Sequence, residues 1–316
     1  MIPFPTVEAA EASLGRAMTW AEAAWFQYSR STPDYCLCFH NFVFLLVNYT
    51  LAPLPLVLLE LCAPAKLTTQ YKLQPRVRLS PATFLRCYTE TARVLVLLTI
   101  GPYLLAPLPV LKMGGIRMGL PLPSFGEVVA QLIVYILMED YMGYWFHRLM
   151  HIEWAYNNIH YVHHEFSAPI GFASAHSHWA ENLIFGFTFF IGMVIVPCHM
   201  TTCWLWFIIR GLLAIDFHCG FNFPFNPTRL IPFYGGAEFH DYHHHRGKQS
   251  KANFAPFLTI CDYIYGTDKV WYLQFLLFML QYGLYLKPYR NNWWKHMHAS
   301  WLILQTVCFI SGLPAP

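Results

Sequence analysis

The chain has 316 residues, of which 56% are apolar, 18% aromatic and only 12% charged. That charged share is about half of the roughly 25% found in soluble globular domains, so the composition argues against a soluble enzyme and for a membrane protein with one catalytic unit. A net charge of +3 is too small to argue for a nucleic-acid partner.

In chain order, residues 1–40 read as an amphipathic, partly helical segment, with Trp20, Trp25, Phe26 and Tyr28 suited to a membrane interface. No basic start followed by an apolar core is present, so the first apolar span is expected to act as the membrane signal. Membrane spans are expected within 41–146, at about 41–62, 93–111 and 128–146, with Pro53 and Pro55 kinking the first. A histidine-rich catalytic region, 147–269, contains a membrane hairpin at 183–216, broken near Pro197 to Met200. An atypical apolar tail, 270–316, follows. Nine scattered cysteines, an odd number without framework spacing, read as reduced packing residues. The predicted fold is therefore all-α, a multi-span integral membrane helical protein. Crossing parity puts loops 63–92, 147–182 and 217–269 on one side. Lys66, Lys72, Arg76, Arg78, Arg86 and Arg93 against Glu90 make that side the cytosolic one.

Thirteen of the sixteen histidines lie between His147 and His245. Eight of them form HxxxH (His147, His151), HxxHH (His160, His163, His164) and a second HxxHH (His240, His243, His244). Spacings of three and four residues put side chains on one helix face, so each motif is expected to aim its imidazoles at one point. Eight imidazoles exceed the four ligands of a closed structural zinc site and suit two metal ions with positions left open. All three motifs fall on the cytosolic side, giving a cytosolic-face dimetal site. His178 and His218 border the hairpin, and spacing leaves open whether they ligate or merely sit at the interface. Asp140, two turns before His147, is expected to hydrogen-bond a ligating imidazole, and Glu165 is expected to orient one or accept a proton. No catalytic residue beyond the metal ligands is indicated.

Imidazole suits zinc, copper, iron and nickel, so the ligands alone leave the metal open. Two irons would activate O₂ toward an unactivated C–H bond in a lipid-dissolved substrate, whereas zinc would favour hydrolysis. GxGxxG, P-loop and GxSxG motifs are absent, and so is a His-Pro-Gly-Gly haem signature.

The three motifs, in this order, resemble the hallmark of the fatty acid hydroxylase/sterol desaturase superfamily. The stretches Phe233 to His244, Cys261 to Lys269, His178-Trp-Ala-Glu181 and His218-Cys-Gly220 look like the plant branch of sterol C-4 methyl oxidases (methylsterol monooxygenases), over roughly residues 15–269. The resemblance implies an endoplasmic reticulum enzyme with two irons per chain, using O₂ and NAD(P)H-derived electrons through cytochrome b5 and its reductase. It implies stepwise oxidation of a 4-methyl group of a methylsterol (4,4-dimethyl or 4α-methyl) to alcohol, aldehyde and carboxylate, for a separate sterol C-4 decarboxylase/dehydrogenase. It adds His178 and His218 to the metal ligands, and Asp241 joins Asp140 and Glu165 behind them. The expected alternatives are a fatty acyl or aldehyde-acting hydroxylase or desaturase of the same superfamily, and a catalytically inactive isoform. Two features depart from the family pattern: Ser-Ala-His-Ser-His at 174–178 offers both His176 and His178, and an apolar run replaces the short basic tail after Lys269.

Overall fold

The computed structural model describes residues 4–105, 114–223 and 226–269. The tail at 270–316 and the part of the expected second span at 106–111 lie outside the described residues. Among the described residues the chain is helical, and its β-bridges are isolated.

Two short helices open the chain. α1 (Val7–Leu14) is capped by Thr6, and α2 (Trp20–Ser29) by a capping box in which Thr19 and Glu22 satisfy each other's backbone N–H groups. α3 (Asp34–Leu51) and α4 (Leu54–Cys62) are separated at Ala52-Pro53, because prolines at 53 and 55 remove two donors. α5 (Ala65–Tyr71) and α6 (Pro81–Leu105) follow, then α7 (Phe125–Met150) and α8 (Glu153–Asn158). The hairpin is α9 (Trp179–Ile195) and α10 (Met200–Phe217), with Pro197 in its turn. α11 (Gly236–Arg246) and α12 (Ile260–Ile264) complete the described helices.

α9 lies along α7, and α10 along α3. Glycine permits the first approach: a Cβ on Gly192 would sit 2.9 Å from the Tyr135 Cα. Trp206, Tyr135, Phe26 and Met200 fill the core between these helices. On the outside, Val129, Ile133, Leu137 and Tyr141 form an exposed stripe at four-residue spacing on α7, and Leu183, Phe187, Phe190 and Val194 continue it on α9. Such stripes are costly in water and match a lipid environment. Asp34–Cys62 and Met200–Phe217 are long and apolar enough to cross a membrane, while Trp179–Ile195 is apolar but shorter. The chain is membrane-associated.

The two buried acids of α7, Glu139 and Asp140, are paired, as burial in an apolar helix demands. Glu139 accepts from Arg210 Nε at 2.8 Å, linking α7 to α10. Asp140 accepts the backbone N–H groups of Phe257 (2.9 Å) and Leu258 (2.8 Å). Asp262 does the same for Phe254 (2.9 Å) and Ala255 (2.7 Å). Asp140 thus pins residues 257–258 against α7 and Asp262 ties residues 254–255 to α12, while Pro256 seats over Gly143, where a Cβ would lie only 2.4 Å from its ring. Segment 252–258 forms one wall of the histidine site.

Candidate metal centre

Four elements deliver nine imidazoles to one buried region. The last turn of α7 carries His147, and its C-cap is His151. A 3₁₀ turn, His160–Glu165, carries His160, His163 and His164. His218 caps the end of α10, and α11 carries His240, His243 and His244.

The imidazoles sort into two groups. His147, His151, His160, His164 and His243 form one; His163, His218, His240 and His244 form the other. Both HxxHH motifs are split between them, contrary to the expectation that each serves one point. His160 and His164 join the five-histidine group and His163 the other. His240 and His244 join the four-histidine group and His243 the other. The 3₁₀ winding stacks His160 and His163 with ring centroids 5.4 Å apart, yet they turn their Nε2 atoms to different groups.

In the four-histidine group the Nε2 atoms close a ring. Its edges are His163–His218 3.3 Å, His218–His240 2.9 Å, His240–His244 3.0 Å and His244–His163 3.2 Å. In the larger group, His151, His243, His164 and His160 close a similar ring with edges of 3.0, 3.2, 3.1 and 3.1 Å. A ring with such edges encloses a point about 2 Å from each nitrogen, matching the imidazole–metal bond of about 2.0–2.1 Å.

The outer nitrogens decide what these contacts are. His163 Nδ1 donates to the His176 carbonyl (3.0 Å), His218 Nδ1 to Ala214 (2.8 Å) and His244 Nδ1 to Phe166 (3.1 Å). A carbonyl only accepts, so each of these neutral rings carries its proton on Nδ1 and a lone pair on Nε2. The His163–His218 and His163–His244 contacts therefore oppose lone pairs and cannot be hydrogen bonds between neutral rings. Protonating Nε2 is disfavoured as well, because burial pushes His163 down to about 4 and His244 well below the usual imidazole range. A cation at the ring centre resolves the conflict. In the larger group, His147 Nδ1 donates to Phe254 (2.7 Å) and His243 Nδ1 to Ala252 (2.8 Å), while the buried His147 Nε2 has no partner. Both groups fit metal ions.

The remaining predicted residues lie elsewhere. His178 caps α9, its Nδ1 accepting from Ala180 N at 3.3 Å, and belongs to neither group. Asp140 touches no imidazole, since seven residues of helix put it about 10 Å from the His147 level; it holds the wall segment instead. Glu165 accepts from His176 Nε2 (3.1 Å) and Arg86, and Asp241 accepts from Gln74 Nε2 (3.1 Å). Neither reaches the nine. Glu165, Glu90 and His176 form a smaller cluster whose carboxylates Arg86 already contacts. The carboxylate that orients a grouped imidazole is Glu181, whose Oε1 accepts from His160 Nδ1 at 2.8 Å. Sequence reasoning passed over it. An acid at the head of the apolar helix after His178-Trp-Ala was the available signal.

Fold and site define a class: a helical membrane protein with a buried polyhistidine centre. The family model for fatty acid hydroxylases matches residues 132–267. A protein of Oryza sativa subsp. japonica named very-long-chain aldehyde decarbonylase GL1-10 is 59% identical over 269 residues, covering 85% of this chain and 89% of the relative. Methylsterol monooxygenase 1-1 of Arabidopsis thaliana is 50% identical over 275 residues, covering 87% and 92%. Methylsterol monooxygenase 2-2 of the same plant is 35% identical over 252 residues, covering 79% and 93%. No solved structure matches the chain. The chain belongs to the fatty acid hydroxylase family, in the sterol C-4 methyl oxidase branch that holds the plant methylsterol monooxygenases.

Proposed function

We propose that the chain is an O₂-dependent monooxygenase that oxidises the 4-methyl group of a methylsterol stepwise to alcohol, aldehyde and carboxylate, with one iron held by each histidine group. The observation that carries this reading is the lone-pair conflict in the four-histidine ring, set in a chain half identical to methylsterol monooxygenases. Two irons would supply the O₂ activation that an unactivated methyl C–H bond requires.

The chain's own residues do the rest. Carbonyls of Phe166, His176, Ala214, Ala252 and Phe254, with the Glu181 carboxylate, fix six rings as Nδ1–H tautomers and aim their Nε2 atoms inward. Burial shields eight of the nine imidazoles from water, and the apolar stripes on α7 and α9 support access for a sterol dissolved in lipid. The chain is read as a multi-pass protein of the endoplasmic reticulum with its histidine region toward the cytosol, an N-terminal interfacial segment and a tail outside the catalytic unit. Electrons would come from cytochrome b5 and its reductase, and a separate decarboxylase would take the carboxylate product.

A second reading, action on a long-chain aldehyde, is favoured by the name of the 59%-identical rice relative. Purified full-length chain, loaded with iron, separates the two when offered a 4,4-dimethylsterol, a 4α-methylsterol and a long-chain aldehyde. The proposal expects O₂-dependent turnover of a methylsterol and about two irons per chain. Turnover of the aldehyde alone overturns it.

A further inference from the structure

Eight of the nine grouped imidazoles are buried, and His151 is the exception. It lines a surface opening of about 230 Å³ together with Arg148, Lys248 and Lys251, and among the described residues no carboxylate lines that opening. Two other wall residues touch the five-histidine group from behind. Ser250 Oγ lies 3.1 Å from His243 Nδ1, and the Phe254 carbonyl accepts from His147 Nδ1 at 2.7 Å. The opening therefore meets three of the five imidazoles through His151 itself or through one contact. Both lysines are exposed, and the nearest acid to Lys248 is Glu153 at 3.4 Å, itself on the surface. A pair so exposed offsets little of the positive field.

We propose that this cationic opening is the docking surface for an acidic one-electron carrier protein, which reduces the five-histidine group at its His151 edge. The proposal rests on the reading that a separate donor supplies electrons to an iron centre. Hydroxylation of one C–H bond consumes one O₂, two electrons and two protons and yields an alcohol and water. A b-type cytochrome gives one electron as its haem passes from ferrous to ferric and a ferric ion at the site becomes ferrous, so two reduced carriers must visit in turn. Repeated visits need fast, weak association. A concentrated positive patch over a small area supplies that, because charge complementarity raises the rate of encounter and small interfaces release quickly. His151 is the one grouped imidazole that is not buried, and this opening lies against it.

The test uses the iron-loaded full chain in nanodiscs of neutral lipid and, as probe, a soluble b-type cytochrome of net negative charge. Lys248→Glu/Lys251→Glu reverses the patch, and Lys66→Glu reverses an exposed charge elsewhere. Binding of the cytochrome at low salt should weaken about ten-fold or more in the double variant, and its sensitivity to added salt should flatten. Oxidation of the reduced cytochrome by the centre should slow in parallel, with iron content unchanged. Lys66→Glu should do neither. The proposal is overturned if the double variant binds and oxidises the cytochrome as the unaltered chain does, or if Lys66→Glu is equally impaired. It is also overturned if charge reversal weakens only binding to vesicles of anionic lipid, which would make the patch a headgroup site. If the unaltered chain cannot oxidise the reduced cytochrome, the donor reading itself fails and takes the proposal with it.

Discussion

The two histidine groups are built from the same ligand type but held in different ways. In the four-histidine group every ring is buried, and three Nδ1 atoms donate to main-chain carbonyls. One of those carbonyls lies on α10 and two flank the loop after the 3₁₀ turn. In the five-histidine group two rings lean on carbonyls of segment 252–258, one on a carboxylate, and His151 is half-buried with an Nδ1 that meets no partner. One group is fully buried and has no ligand to spare, although its His240 Nδ1 also meets no partner. The other has a fifth imidazole and an edge toward the surface. The contrast suggests unequal roles, with one ion held tightly and the other reachable.

The largest expected effect follows from ligand count. His163→Ala or His244→Ala leaves three imidazoles in the small group and should lower metal content from about two ions per chain to about one, with methylsterol oxidation down roughly 100-fold or more. His151→Ala leaves four imidazoles in the larger group and should keep both ions. Elemental analysis of the purified variants measures this directly. Equal metal loss from His151→Ala and His244→Ala would erase the distinction between the groups.

Glu181 sharpens the comparison, because among the described residues only the five-histidine group has a carboxylate behind a ligand. Removing such a partner typically costs about 10–100-fold in metal affinity. Glu181→Ala should therefore weaken one ion of the pair by that order, read as the concentration of a competing chelator that removes it. Glu181→Gln keeps an oxygen to accept from His160 Nδ1 and should lose clearly less. If both ions weaken together in Glu181→Ala, the carboxylate supports the whole fold rather than one group.

Much of this was legible in the sequence. The three motifs named eight of the nine grouped imidazoles, and His218 was marked as a further candidate beside the hairpin. Pro53 and Pro197 marked helix breaks, because a missing N–H acts locally whatever the tertiary setting. The division into two groups was not legible. In HxxHH the first and fifth residues lie about 40° apart on a helix and the fourth lies on the other side of the first, so one motif can straddle two centres. Only the packing of α11 against α10 and the 3₁₀ turn decides where the seam falls. Sequence distance did not single out the carboxylate behind a grouped imidazole, for a related reason, although Glu165 does accept from the His176 ring. Sequence distance placed Asp140, Glu165 and Asp241 near histidines, but reach depends on the fold: Asp140 is spent on Phe257 and Leu258, while Glu181, twenty-one residues from His160, closes on it.

The smallest expected effect concerns His178, which the family resemblance adds to the ligands and the fold sets apart. Its ring is partly exposed at the start of α9, and its Nδ1 accepts from Ala180 N at a long 3.3 Å. A helix cap lost to alanine costs about 0.5–2 kcal/mol, and a bond this long belongs at the lower end. α9 is meanwhile held along α7 by the Gly192–Tyr135 approach and by Tyr135 Oη donating to the Val196 carbonyl at 2.7 Å, so the cap is one support among several. His178→Ala should thus keep both metal ions and most of the activity, with only a slight fall in thermal midpoint. Metal content falling to one ion per chain in this variant would mean that His178 swings onto the centre when the ions are bound.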